Sequence, residues 1–331
     1  MSKVILHIGT HKTATTTIQD TFCKNAPLLA EHGIIYPRLN KVTGHHGLVF
    51  DWGTLPEVYR LKQGSREAFR EIARAHAKGD ATVFLSSEEF SRADPRGAVD
   101  FTEVRKLLAP FDEIEVICVL RPQWEFIQSV YLELSKKLLP PRPPVFVQAA
   151  IKTGMVAGLW ADYNGLLDQL EKAFEPGEIT FLDFRATRAA PGGIVGALLS
   201  HMGASLGADA LEEVNGGASN VSPMSLASWG ANLMTEPRVA PAWLVERVTQ
   251  VIRNEFGEKV KPCLFTRDEF QKLQAHFEER NKVLQTRRAA VQPDFALSPT
   301  TAEGLTLFRN EVPHSFWMSV CRALVADRMR E

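Results

Sequence analysis

Cysteine is scarce in this 331-residue chain, and the four present, Cys23, Cys118, Cys263 and Cys321, show neither paired spacing nor a CxxC. That argues against a disulfide framework or a cysteine zinc site and predicts reduced core thiols. An excess of charge of one sign is also missing: 38 Lys and Arg face 39 Asp and Glu, a net −1. The chain as a whole therefore has no field to draw nucleic acid or an anionic membrane, although a local basic pocket stays open. No apolar run approaches the ~18 residues of a membrane helix. The opening MSKVILHIG lacks the apolar stretch and cleavage site of a signal peptide. The expectation is a cytoplasmic protein that neither inserts into a membrane nor takes nucleic acid as its partner.

What is there is ordinary in bulk and informative in pattern. Hydrophobic residues make up 45% and charged residues 23%, a folded-protein composition with enough length for a large core. Short apolar runs at Val4–Ile8, GIIYP (33–37), ATVFLSS (81–87), Ile114–Leu120 and EITFLDF (178–184) alternate with helical patterns. Strands separated by helices predict a parallel α/β sheet, and IEVICVL, apolar almost throughout, reads as a strand covered on both faces. Helices are expected at about 47–60 and 65–78, near 100–109, and from Arg121 to about Lys137, where Pro140-Pro141-Arg142-Pro143-Pro144 ends the pattern. A further helical insertion is expected within 138–160. Beyond about residue 190 the pattern is mainly helical, and Thr266-x-x-Glu269 before Phe270, Leu273, Phe277 and Leu284 reads as a capping box. A single domain is expected, with an α/β part over 1–215 and a mainly helical part over 216–331. The Gly/Ser/Asn-rich stretch 215–222 is its best loop or boundary.

HIGTHKTATTTIQ, residues 7–19, is the most informative segment. A strand running through a tight loop into a helix aims backbone N–H groups and the helix dipole at one point, an anion site. Against the ATP loop pattern G-x-x-x-x-G-K-[ST], Gly9 and Thr16 match, but Ala14 stands for the second glycine and Thr15 for the lysine. The loop's lysine comes earlier, at Lys12, where its ammonium would reach the outer end of a bound phosphate chain. That arrangement disfavours magnesium–ATP chemistry while keeping the phosphate cradle. Ala14 in place of glycine calls for a backbone at φ below zero.

A second signal is VICVLRPQWEFIQSVY. It puts Arg121 at the end of a buried strand and Ser129 eight residues on, slightly more than two helical turns, facing back toward the strand end. A guanidinium and a hydroxyl there could clamp a phosphate.

Together these motifs resemble the sulfotransferases that use PAPS (3′-phosphoadenosine 5′-phosphosulfate); GTHKTATTT is similar to the loop of the heparan-type enzymes. The resemblance implies a P-loop-type three-layer α/β fold with a central parallel sheet flanked by helices. It implies PAPS as co-substrate, PAP as product, and no metal. It implies that Lys12 stabilises the leaving group, while Gly9, Thr10, His11, Thr13, Ala14, Thr15, Thr16 and Thr17 hold the 5′ end. Arg121 and Ser129 would bind the 3′-phosphate. In NGGASNVSPMS, Asn220 and Ser222 resemble the late segment that closes over the nucleotide.

Transfer to a hydroxyl needs a general base. The candidates are His45 and His46 in GHHGL, with His46 favoured for an ordinary pKa near ~6.5, and Glu88 in LSSEEFS. Glu89 is expected to face solvent or to be a charge at a helix N-terminus. Tyr59, Arg60, Arg66 and Arg142 are candidate contacts for the acceptor, a carbohydrate or other small molecule by family resemblance. Two alternatives stay open: a small-molecule or nucleoside kinase, and a PAPS-binding protein without transfer activity. The oligomeric state is not legible.

Overall fold

The computed structural model describes residues 1–214 and 223–329. The described residues group into two compact units that interleave along the chain. The first draws on Met1–Pro122, Gly158–Ser219 and Arg280–Ser298, the second on Gln123–Ala157, Asn220–Glu279 and Pro299–Glu331. The stretch 215–222, expected to be a loop or boundary, lies outside the described residues.

The first unit is built on a five-stranded sheet: β1 (Lys3–His7), β2 (Ile34–Ile35), β3 (Thr82–Ser86), β4 (Glu113–Leu120) and β5 (Ile179–Asp183). Their spatial order is β2-β3-β1-β4-β5, and every pairing is parallel. Side chains alternate across it. Val4, Leu6, Val83, Leu85, Val116 and Cys118 face one apolar layer, while Ile5, Phe84, Ile117 and Val119 face another. The first layer is covered by α3 (Ser65–His76), α4 (Phe101–Leu108) and α7 (Tyr163–Leu170), through Phe69, Val104 and Leu167. The opposite layer is covered by α1 (Thr15–Lys24), α2 (Ala26–Glu31) and α9 (Gly193–His201), through Phe22, Leu29 and Leu198. This is the expected three-layer parallel α/β fold. The sheet-edge strand β5 is blunted by Gln292, whose amide accepts from Phe181 N at 3.0 Å and donates to Phe181 O at 2.9 Å, occupying groups that an edge would otherwise expose.

The chain leaves β1 toward β2 on one side and leaves β3 toward β4 on the other. The carboxyl ends of β1, β3 and β4 therefore border the crevice where open α/β sheets place ligands.

The second unit is helical: α5 (Gln123–Ser135), α6 (Pro143–Thr153), α10 (Ser225–Thr235), α11 (Ala242–Phe256) and α13 (His314–Arg328), with Leu226, Val248, Ile252 and Phe316 at its core. The prolines act as expected: α5 stops at Ser135, and α6 restarts with proline in its first turn and ends on Gly154 at φ 68°. Helix α12 (Arg267–Arg288) begins with both halves of the capping box, Glu269 N to Thr266 Oγ1 at 3.1 Å and Thr266 N to Glu269 Oε2 at 2.9 Å. No helix among the described residues is long and apolar enough to cross a membrane.

Two expectations fail locally. Residues 47–60 form short 3₁₀ turns rather than a helix. Gly47 is pressed so close to Leu61 and the Tyr59 carbonyl that a Cβ would lie 2.6 Å from each, and Gly53 and Pro56 interrupt helical hydrogen bonding further. Among the cysteines, Cys118 and Cys263 are buried as expected, but Cys23 is half-buried and Cys321 exposed.

Candidate active site

The loop after β1 is an extension of the sheet before it becomes a turn. Ile8 N donates to Ile117 O at 2.9 Å, Val119 N to Gly9 O at 2.5 Å, and Thr10 N to Val119 O at 2.9 Å. Thr10 Oγ1 adds a 3.2 Å bond to Val119 O, and Thr13 Oγ1 closes the turn onto Thr10 O at 2.5 Å. Gly9 has φ 91°, and a Cβ there would lie 2.8 Å from Glu88 Cβ. Glycine is needed because Glu88 crosses directly over it.

Lys12 (φ 64°) and Ala14 (φ 60°, ψ 26°) both adopt the left-handed conformation. The expected negative φ at Ala14 is overturned: the chain must reverse there to aim α1, and the helix begins at Thr15 immediately after. Left-handed backbone costs a Cβ-bearing residue about 1–2 kcal/mol. Ala14→Gly should raise the urea midpoint by an amount worth about 0.5–1 kcal/mol, part of the relief being offset by the freer unfolded glycine; an unchanged or lower midpoint would refute the strain.

Ala14 has no oxygen with which to cap α1, and the helix start carries no side-chain cap hydrogen bond. Thr15 is buried beneath this helix start, with Thr16 and Thr17 half-buried. An N-terminus left in this state on a ten-residue helix fits an anion. Arg121, at the end of β4, donates from Nη1 to the Lys12 carbonyl at 3.1 Å, and its guanidinium lies 5.1 Å over the Phe184 ring. Tyr163 OH donates to the Arg121 carbonyl at 2.5 Å. The first unit thus brings Arg121 to the loop after β1. Ser129 belongs to the second unit, where it is buried on α5. Asn220 and Ser222 lie outside the described residues.

At the end of β3 three histidines grip Ser86, Ser87 and Glu88. His7 Nδ1 meets Ser86 Oγ at 2.8 Å. His45 Nδ1 accepts from Ser86 N at 2.9 Å, its backbone N–H donates to Ser86 O at 2.8 Å, and its Nε2 meets Pro37 O at 2.7 Å. His46 Nδ1 meets Ser87 Oγ at 2.9 Å and lies 3.9 Å from Glu88 Oε2. That Glu88 oxygen also accepts from Gln19 Nε2 at 2.9 Å. Gly44 makes the close approach possible: a Cβ on it would lie 2.6 Å from both Gln19 Oε1 and His46 Nε2.

Electrostatics divide these groups by role. Burial depresses His7 and His45 to about 4, so both rings are neutral at pH 7. His45 has both nitrogens committed, to a backbone N–H and a backbone carbonyl, which withdraws it as a candidate base. For Glu88 burial alone would raise the carboxyl, but favourable electrostatics with His46 and His11 and the Gln19 hydrogen bond hold it below its ordinary range. It is ionised at neutral pH and its side chain is 17% exposed, against 9% for His46.

Of the two expectations for Glu89, solvent exposure fails, while a place in the first turn of a helix holds, in the 3₁₀ turn Glu88–Ser91. Glu89 is buried in an ion pair with Arg92, and His11 Nε2 lies 3.5 Å from its Oε1. Despite burial, His11 and Arg92 hold its carboxyl well below the usual range. Arg92 Nη2 also meets His11 Nε2 at 2.8 Å, so the loop's histidine is engaged here. Of the acceptor-contact candidates, Tyr59 packs on His46 with ring centroids 4.5 Å apart. Arg60 pairs with Glu57, Arg66 with Glu103 and Asp51, and Arg142, in the second unit, with Glu236.

Sequence reading missed Gln19, His7, Ser86 and Ser87. Gln19 had a signal: it stands four residues after Thr15, on the same helix face. His7 had none, because a histidine in an apolar strand shows its partner only once β3 is laid beside β1.

No family model matches this chain, and no curated protein matches it. Among solved structures, a sulfotransferase from Alicyclobacillus acidocaldarius superimposes with TM-score 0.48 at 12% identity, over 86% of this chain and 94% of that one. Mouse sulfotransferase SULT7A1 complexed with PAP gives TM-score 0.40 at 10% identity, over 88% of this chain and 87% of that one.

Proposed function

We propose that this site transfers the sulfuryl group of PAPS to a hydroxyl of a carbohydrate or other small acceptor. The observation that carries the reading is the meeting, at the carboxyl ends of adjacent parallel strands, of an anion-seeking helix start and an ionised, positioned carboxylate. The loop contributes Lys12 and Gly9, α1 contributes its uncapped first turn, β4 contributes Arg121, and β3 contributes Glu88. A phosphate-transfer enzyme of the ATP type would want its lysine at position 15, where this chain has threonine.

PAPS, as co-substrate, supplies a sulfuryl group on a phosphate leaving group. The amides of Thr15, Thr16 and Thr17 would hold the 5′-phosphate at the helix start. Lys12 would offset charge on the bridging oxygen as its bond to sulfur breaks. Arg121 would take the 3′-phosphate. As the acceptor oxygen bonds to sulfur, its proton passes to the Glu88–His46 pair; Glu88 is the favoured acceptor because it is ionised and the more exposed. Gln19 holds the other face of that carboxylate. PAP leaves as product.

The test is calorimetric titration with PAP, ADP and magnesium–ATP. Micromolar PAP binding is expected, weakening at least tenfold in Arg121→Ala and in Ser129→Ala, about 1.4 kcal/mol or more each. Preference for magnesium–ATP with no PAP binding would overturn the reading in favour of a kinase. PAP binding without transfer to any of a panel of sugars and phenols would leave a nucleotide-binding protein instead.

A further inference from the structure

His7 is fully buried on the central strand and plays no part in the chemistry above. Its ring stacks on Phe84, centroids 5.9 Å apart and planes 18° from parallel. Only one nitrogen is used: Nδ1 meets Ser86 Oγ at 2.8 Å, whereas Nε2 has no partner among the described residues. A phenylalanine would serve a stacking role in this place without burying an unpaired polar atom. The histidine therefore marks a need for Nδ1.

That need lies one step from the base. Ser86 Oγ and Ser86 O are each 3.4 Å from Gln19 Nε2, the same nitrogen that donates to Glu88 Oε2 at 2.9 Å. We infer that His7 is a positioning residue for the base: its Nδ1 fixes the Ser86 hydroxyl, Ser86 steadies the Gln19 amide, and Gln19 holds Glu88 in place. The inference rests on the proposed transfer reading only in naming Glu88 as the proton acceptor. The groups facing that carboxylate are His46, His11, His7, Tyr36 and Tyr59, so a change confined to the His7 branch leaves the other four in place.

The experiment reads the Glu88 carboxyl directly, by carbon-13 NMR titration of the full chain carrying carboxyl-labelled glutamate, with the signal assigned by its loss in Glu88→Gln. His7→Phe keeps the stacking and removes Nδ1; it should move the Glu88 midpoint up by about one pH unit, the scale of one lost hydrogen bond to a charged group. His7→Asn, whose amide nitrogen falls near the Nδ1 position, should restore the wild-type midpoint, and His7→Gln, which mimics Nε2, should not. Ser86→Ala should shift the midpoint as His7→Phe does, and the double variant should add nothing. Once an acceptor is in hand, His7→Phe should lower kcat about tenfold and move the acid limb of its pH profile by the same one unit, with KM for PAPS unchanged.

An unmoved Glu88 midpoint in Ser86→Ala or in folded His7→Phe overturns the inference, as does identical behaviour of the Asn and Gln variants. Should His7→Phe fail to fold, Ser86→Ala and the Asn/Gln pair decide. A protein that shows the midpoint shifts yet transfers no sulfuryl group would overturn the transfer reading alone.

Discussion

Lys12→Ala should lower turnover roughly 10²–10³-fold, the scale of losing one donor aimed at a developing negative charge. PAP affinity should fall far less, because PAP lacks the sulfuryl group and its bridging oxygen. Gly9, Thr10 and Thr13 tie the loop to β4 and to itself, and Arg121 binds the Lys12 carbonyl, a contact the substitution keeps. Alanine also tolerates the left-handed backbone at this position about as poorly as lysine does, so backbone strain is the same in both proteins. The decisive pair of measurements is kcat with PAPS and the PAP dissociation constant by calorimetry. An equal loss in both would make Lys12 a ground-state binding group and remove the leaving-group role.

The second large effect is on stability in mild acid. His7 and His45 titrate near 4 in the folded chain because burial penalises the imidazolium, against an ordinary 6.5 in the unfolded chain. Between these values the unfolded state binds more protons, so stability rises with pH. It is complete above about 6.5 and drains away as pH falls toward 4. Each ring accounts for about 3 kcal/mol over that window. The two together are comparable to the whole stability of an ordinary domain. Urea unfolding at intervals from pH 7 to pH 4.5 should show a falling midpoint, and His7→Asn/His45→Asn should flatten the slope whatever its absolute stability. The window separates this from carboxylates: Glu115, held near 2 despite its burial by His201 and Lys3, sheds its contribution only below its ordinary 4.5. A flat wild-type profile from 6.5 to 4.5 would show that the rings carry no such penalty.

Much of the molecule was legible beforehand because its signals are local. Apolar runs of strand length between helical stretches gave all five strands of the sheet, and IEVICVL became the doubly covered β4. The capping box at Thr266 needs only a spacing of three, and it forms. Expectations failed where the position of other parts of the chain, not the local pattern, sets a residue's surroundings. Gly47 is forced into a turn by Leu61 and the Tyr59 carbonyl, Ala14 is held left-handed by the path from β1 into α1, and Glu89 is drawn inward by Arg92 and His11.

The sequence by itself determined the layered parallel architecture, the helix that starts directly after the Gly9–Ala14 loop and the place of Lys12 before it, because periodicity and turn chemistry act within a few residues. Only the tertiary structure shows what surrounds each candidate base. Parallel pairing of β1 with β3 sets His7 beside Ser86, and the loop after β2 folds His45 and His46 onto the same strand end. Adjacent side chains diverge, so His45 went to two backbone partners and His46 to Ser87 and Glu88. A carboxylate's burial and partners are properties of what surrounds it, and for Glu88 those surroundings come from α1, β1 and the His45–His46 loop, none of them near it in sequence.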